Sequence, residues 1–203
     1  MKIGFIGQGF IGKNYADNFE ERGLEIVRYS QEKPYIQNKD MITKCDIVFI
    51  AVPTPTTPEG FDHSIVGEVL KLVGEGKIAV IKSTITLGTT ELLQKENPNI
   101  FVVHSPEFLS EVTARYDSDN PAQNIIGIPV DNDKYQKIAQ EILSVLPKAP
   151  YDLICTAKEA EMIKYSHNMS GYFQIIFFNM LYDFAESHGC DWEVLKEAYL
   201  ADP

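Results

Sequence analysis

Lys2-Ile3-Gly4-Phe5-Ile6-Gly7-Gln8-Gly9-Phe10-Ile11-Gly12 stands at the head of the chain and decides how the rest is read. Residues 2–6 have the continuous apolar character of a buried strand, and Gly7, Gly9 and Gly12 follow at GxGxxG spacing. Residues 10–22 then carry a helical pattern that stops at Gly23, a residue suited to ending a helix. Strand, glycine loop and helix are the setting in which this spacing holds a dinucleotide pyrophosphate. The first glycine permits the tight turn, the second lets backbone approach the phosphates, and the third lets the helix pack on the strand. Gly7, Gln8, Gly9, Phe10, Ile11 and Gly12 are therefore the candidate cofactor-binding loop; the alternative is a turn that merely uses glycines.

Outward from this loop, apolar runs at 25–29, 46–51, 77–81, 100–103 and 124–128 read as further strands. Between them, 64–73, 89–96 and 134–145 read as helices, with Asp62 a cap for the first of these. The alternation predicts an α/β fold, a Rossmann-like, doubly wound, mostly parallel sheet occupying a domain at 1–150. After Pro147 and Pro150 the pattern changes to a long central helix at 157–188 and a short helix at 192–200, a second segment spanning 151–203. Residues 172–184 are apolar around most of the helix, which needs cover on several sides, so a homodimer through 157–188 is expected. Gly171 in mid-helix suggests a close packing contact. Gln174, Asn179 and Asp183 interrupt the apolar stretch, which is too short to span a membrane.

The 203 residues carry a formal charge of −11, which argues against nucleic acid as a partner but not against a nucleotide held at one helix N-terminus. Cys45, Cys155 and Cys190 form no CxxC pair and read as structural, giving neither a metal site nor a disulfide framework. That usage, and a start directly on a strand with no signal peptide, suit the cytoplasm.

An NAD site usually places Asp or Glu at the end of the second strand, on the adenosine ribose. Here that place falls at Ser30, and the nearest acids are Glu25 and Glu32. Arg28 and Lys33 are either surface cations or partners for the 2′-phosphate of NADP. NAD is the favoured cofactor, with NADP as the alternative.

Four more segments carry chemistry. Ala51-Val52-Pro53-Thr54-Pro55-Thr56 leaves the third strand where ligands of open sheets bind, stiffened by two prolines. Lys82-Ser83-Thr84 runs on to Gly88-Thr89-Thr90; the Thr84 hydroxyl can serve a cofactor or a catalytic water, or cap the next helix. Ser105-Pro106-Glu107-Phe108-Leu109-Ser110-Glu111 puts two carboxylates four residues apart, Glu111 having a solvated surface acid as its alternative reading. Glu159-Ala160-Glu161-Met162-Ile163-Lys164-Tyr165, with Asn168, places Glu161, Lys164 and Asn168 on one helical face. The plain alternative for Lys164 is an exposed lysine paired with Glu161.

Read together and in this order, the segments resemble the UDP-glucose/GDP-mannose dehydrogenase family over nearly the whole chain. The resemblance implies an NAD-dependent nucleotide-sugar 6-dehydrogenase module that oxidises a UDP- or GDP-sugar alcohol toward the uronate. It implies Val52, Pro53, Thr54 and Thr84 beside the cofactor, together with Ser30. Glu107, Lys164, Asn168 and Thr84 become catalytic candidates, Glu107 as the base that helps activate the hydrolytic water. Phe108, Leu109, Ser110 and Glu111, with Lys164 and Asn168, become contacts to the nucleotide-sugar substrate. A cation such as Lys164 stabilises a developing alkoxide and an amide such as Asn168 orients it.

The chain departs from the family pattern after Asn168, where Met169-Ser170-Gly171-Tyr172-Phe173 replaces the usual Ala-Phe-Leu-Ala and Gln174 stands in place of a cation. The family's thioester-forming cysteine lies in a GGxCFxKD-like motif that this sequence lacks. A fragment of a longer enzyme is therefore expected, its connecting segment beginning near Ala201-Asp202-Pro203; a natural short form is the alternative. Two competing functions remain: a two-electron β-hydroxyacid dehydrogenase using Lys164 and Asn168, and a non-catalytic nucleotide-binding dimerisation module.

Overall fold

The computed structural model describes residues 1–58 and 60–201; Glu59 lies outside it, as do Asp202 and Pro203 of the expected connecting segment. The chain runs β1 (Lys2–Ile6), α1 (Phe10–Glu21), β2 (Glu25–Tyr29), a 3-10 turn (Ile36–Asn38), α2 (Lys39–Ile42) and β3 (Ile47–Ile50). A small hairpin of β4 (Thr56–Thr57) and β5 (Gly60–Phe61) precedes α3 (Ser64–Leu70), β6 (Ile78–Ile81), α4 (Thr89–Glu96) and β7 (Phe101–His104). Then come α5 (Ala114–Asp119), β8 (Asn124–Ile128), α6 (Asp133–Val145), β9 (Asp152–Thr156), α7 (Ala157–Ser187) and α8 (Trp192–Leu200).

Seven strands form one sheet in the order β2-β1-β3-β6-β7-β8-β9, all neighbours parallel except β7 and β8. The chain steps from β1 to β2 on one side and to β3 on the other. The strand order therefore reverses between β1 and β3, and the carboxyl ends of those two strands open the crevice in which such sheets bind ligands. Because strand side chains alternate between faces, Ile3 and Phe5 join one core layer while Ile6 joins the other. In the first layer Phe5 stacks on Phe49 at 5.2 Å and meets Phe19 of α1 edge-on at 5.2 Å. Such pairs add about 0.5–1.5 kcal/mol each beyond their buried area.

Gly23 ends α1 as its residue type requires. At φ +79° its N–H bonds Glu20 O (2.9 Å), and the Leu24 N–H bonds Phe19 O (3.1 Å). Asp62 caps α3 from one residue ahead of the cap position, accepting the Ser64 N–H at 2.8 Å. The sequence reading missed β9. As an edge strand half open to solvent it lacks the continuous apolar run that marks the buried strands.

Two units divide the chain, residues 1–164 and 165–203. In the second, Asp191 caps α8 through the Glu193 N–H (2.9 Å), Phe178 meets Tyr199 at 4.8 Å and Tyr182 meets Trp192 at 5.3 Å. Its apolar side chains are largely uncovered: Phe173 is 61% exposed and Met180 67%. A side chain at Gly171 would touch nothing within 4 Å, so the close contact expected there does not exist within the chain. Among the described residues no helix is long and apolar enough to cross a membrane.

Candidate functional site

The glycine loop divides its work between folding and binding. Gly7 has φ +90°, and a Cβ on it would lie 2.1 Å from Ala51 O. A Cβ on Gly12 would lie 1.9 Å from Gly7 O. Both glycines therefore let β1, α1 and the end of β3 close together. Gly9 is different: a Cβ there meets nothing within 4 Å. It is the N-cap of the twelve-residue α1, whose free N–H groups and dipole attract a phosphate. The space beside it is a cleft of about 640 Å³. Gly7, Gln8, Gly9, Phe10 and Ile11 line one wall, Ala51, Val52 and Pro53 another, and Tyr29, Ser30, Glu32 and Lys33 the rim beyond β2. This shape fits a dinucleotide whose pyrophosphate crosses Gly9.

Arg28 is not a partner for a 2′-phosphate, contrary to one expectation. It is buried, and its guanidinium bonds Asp17 Oδ1 and Glu20 Oε2, both at 2.6 Å. Burial opposes the charge on Asp17, but hydrogen bonds from Lys13 and Arg28 outweigh it and hold the carboxyl below its ordinary range. With both acids engaged, the guanidinium is already neutralised. Ser30 folds its hydroxyl back onto Glu32, donating to the Glu32 carbonyl at 3.1 Å.

The loops after β3 and β6 are tied to each other. The Ser83 hydroxyl donates to Val52 O (2.8 Å) and accepts from the Val52 N–H (3.0 Å). The Thr54 hydroxyl donates to the Thr84 carbonyl at 2.8 Å. Thr84 does not cap the next helix, since α4 begins at Thr89 with Gly88 as its N-cap.

Glu107 and Lys164 form a buried ion pair, 7% and 5% exposed. The Lys164 ammonium donates to Glu107 Oε1 (2.8 Å) and to the Glu107 carbonyl (2.6 Å), while the Leu109 N–H donates to Oε2 (2.8 Å). The alternative reading of Lys164, an exposed lysine paired with Glu161, does not hold. Glu161, fully buried, instead accepts the Gly88 N–H (2.6 Å), the Thr90 N–H (2.8 Å) and the Thr90 hydroxyl (2.7 Å), an anion set on the amino end of α4. Phe108 is half-buried with the Lys164 ammonium 5.5 Å from its ring centre, whereas Ser110 and Glu111 are exposed. Asn168, on the second unit's part of α7, is exposed too. Cys45 is packed in the core, Cys155 is half-buried on β9 and Cys190 is exposed, so a packing role is visible for Cys45 only.

Sequence reasoning missed Lys82, which is 2% exposed at the end of β6. Its ammonium donates to Ser105 O (3.0 Å) and Ser105 Oγ (3.2 Å), and lies 4.4 Å from the centre of the Tyr15 ring. Burial pushes the amine down to about 7; Glu107 opposes that shift and Lys164 adds to it. The signal was a lysine directly following the apolar run Ile78–Ile81, where no solvent-facing position exists.

Two outcomes follow from this geometry. Gly9→Val leaves thermal stability nearly unchanged but weakens NADH binding by about tenfold or more, whereas Gly12→Ala lowers stability by about 1–3 kcal/mol through a backbone clash; calorimetry and fluorescence titration read both. Folded Lys82 holds fewer protons than unfolded lysine between about pH 7 and about pH 10.4, so its burial makes stability rise with pH across that window, by on the order of 3 kcal/mol. Because the raised thiols of Cys45 and Cys155 cost stability over the same range, urea unfolding of the native chain and of Lys82→Met at pH 6.5 and pH 10 shows the rise as the difference between the two.

Residues 35–146 match the model of the UDP-glucose/GDP-mannose dehydrogenase family, NAD binding domain. The chain is 33% identical to UDP-glucose 6-dehydrogenase TuaD of Bacillus subtilis, over 94% of this chain and 50% of that protein. It is 31% identical to a UDP-glucose 6-dehydrogenase of Campylobacter jejuni, over 100% of this chain and 60% of that one. A UDP-glucose dehydrogenase structure from Pyrobaculum islandicum superposes with TM-score 0.85 at 23% identity, covering 99% of this chain and 56% of that one. The chain spans about half the length of the curated relatives it matches. It belongs to the UDP-glucose/GDP-mannose dehydrogenase family and carries that family's NAD-binding domain.

Proposed function

We propose that this chain is the cofactor-binding and proton-handling half of a nucleotide-sugar 6-dehydrogenase, acting on the primary alcohol of a UDP- or GDP-sugar. The observation that carries the reading is the buried Glu107–Lys164 pair. Gly7, Val52, Thr84 and Glu107 all lie in loops that follow the carboxyl ends of the mutually parallel strands β1, β3, β6 and β7, so cleft and ion pair share one edge of the sheet. NAD, when bound, supplies the hydride acceptor. Gly7, Gly9 and the α1 amino end would hold its pyrophosphate, and Val52 and Pro53 would line its path.

Glu107 then takes the hydroxyl proton at a carboxylate oxygen, and the Lys164 ammonium steadies the oxygen as negative charge grows on it. Phe108, Leu109, Ser110 and Glu111 flank the sugar nucleotide. Asn168 and Thr84 keep the roles the family resemblance gives them, orienting the alcohol and a water. Glu107 and Lys164 support this reading over a purely nucleotide-binding module, because a buried ion pair is costly to form and adds little net stability. Family membership disfavours the β-hydroxyacid reading.

Cys45 and Cys155 are poorly suited to thioester chemistry. Cys45 has its thiol pushed up to about 11, by burial first, and Cys155 likewise. The purified 203-residue chain is therefore expected to bind NADH, and to be stabilised by UDP-glucose or GDP-mannose when NAD is present. It is expected to form no UDP-glucuronate. Titration, thermal shift and chromatography of the reaction mixture check these points, and steady uronate production would refute the last.

The uncovered apolar side chains Phe173, Ile175, Phe177 and Met180 on α7 suit a second copy of the chain, giving a homodimer. Sedimentation at micromolar concentration is expected to show the dimer; a lone monomer peak rules this part out.

A further inference from the structure

Lys82 and Lys164 hold the two ends of one three-residue segment. Lys82 donates to the carbonyl and hydroxyl of Ser105, and Lys164 donates to the carbonyl and carboxylate of Glu107. Between them stands Pro106, which fixes its own φ and confines Ser105 to extended backbone. The segment is thus a short stiff strut, and a displacement at Ser105 is passed to Glu107 with little loss.

The groups facing Lys82 come from several elements. Tyr15 of α1 presents its ring, and Ser105 and His104 lie at the end of β7. Glu107 in the following loop and Lys164 on α7 act through charge. His104 gives its Nδ1 to Ile81 O (3.0 Å), and burial pushes it down to about 3, so it is neutral near pH 7. Tyr15 is pushed well up, by burial first and then by Glu107 and Asp117, and is also neutral. The one negative partner for Lys82 in this set is Glu107, and it is already bonded to Lys164.

We infer that Lys82 is a positioning residue: through the Ser105-Pro106-Glu107 strut, its ammonium sets where Glu107 stands and how firmly Glu107 holds Lys164. Two cations then share one carboxylate. When Lys82 is charged it competes for the field of Glu107 and repels Lys164. When it is neutral, Glu107 serves Lys164 alone and the grip on Ser105 weakens to that of an uncharged amine. The protonation state of Lys82 is thereby communicated to the pair. This rests on the reading of Glu107–Lys164 as the reacting centre, but the communication itself is measurable without turnover.

The 203-residue chain is labelled with ¹³C at lysine Cε and titrated by NMR from pH 5.5 to pH 9. Lys82→Met and Lys164→Met assign the two buried signals. The expected result is a Lys82 midpoint near 7, with an inflection at the same pH in the Lys164 signal. That inflection disappears in Lys82→Met while the surface lysine signals stay in place. Lys82→Arg, whose charge is permanent, holds the Lys164 signal at its acidic position throughout. It also serves where Lys82→Met does not fold. A Lys164 signal with no inflection in the native chain overturns the inference, as does an inflection that persists in Lys82→Met or Lys82→Arg. Separately, a complete family enzyme whose hydride transfer survived loss of the matching active-site lysine would sink the functional reading and leave the coupling standing.

Discussion

There is no room for one extra carbon between Gly12 and Gly7, whose carbonyl would lie 1.9 Å from a Cβ, nor between Gly7 and the Ala51 carbonyl at 2.1 Å. That double closeness presses the start of α1 onto the ends of β1 and β3. It brings the α1 amino end over the point where the strand order reverses. Without it the helix would stand off the sheet, the free N–H groups would point at solvent, and Val52 and Pro53 would no longer share a cleft with Gly9. Close packing thus sets the position of Gly9, the one glycine of this loop at which a side chain would meet nothing within 4 Å.

A second constraint comes from charge. The chain is strongly acidic, yet Arg28, Lys82 and Lys164 are buried and each has a fixed geometry. Arg28 is neutralised by Asp17 and Glu20 beneath the ribose rim, which removes one of two anchors for a 2′-phosphate and leaves a rim shaped by Ser30, Glu32 and Lys33. This agrees with membership of a family whose domain binds NAD. Of the two cations that could have met a 2′-phosphate, Arg28 is spent on structure and Lys33 stays exposed on the rim.

Six strands were legible as continuous apolar runs and the phosphate loop because its spacing has a mechanical cause, whereas α2 and α5 are too short to carry a helical pattern. β9 escaped because an edge strand wets one side. The pairing of charged residues escaped for a different reason. On α7, three-residue spacing makes Glu161 and Lys164 neighbours, and helical rules alone join them. Tertiary structure separates them: Glu161 finds three donors at the amino end of α4, and Lys164 finds a carboxylate and a carbonyl at Glu107. Local spacing can say that two groups face one way, but not which of several buried partners each will meet.

Glu161 and Lys164 are one turn apart on the same helix and bind two different loops, the one before α4 and the one after β7. Those loops end neighbouring parallel strands, β6 and β7, so α7 acts as a brace across the carboxyl edge of the sheet. A buried carboxylate and a buried ammonium are poor sources of stability compared with apolar packing of the same volume, because desolvation offsets most of their attraction. What they give instead is a fixed position, since each is satisfied in a single arrangement only. Lys82 extends the same logic inward from β6. Its contacts are neutral and its charge is marginal, so it holds its loop as Lys164 does but with a hold that depends on a proton. An edge built in this way is rigid at Glu161 and Lys164 and, as we infer, adjustable at Lys82. Hydrophobic packing, which cannot exchange a proton with its surroundings, could not supply the last.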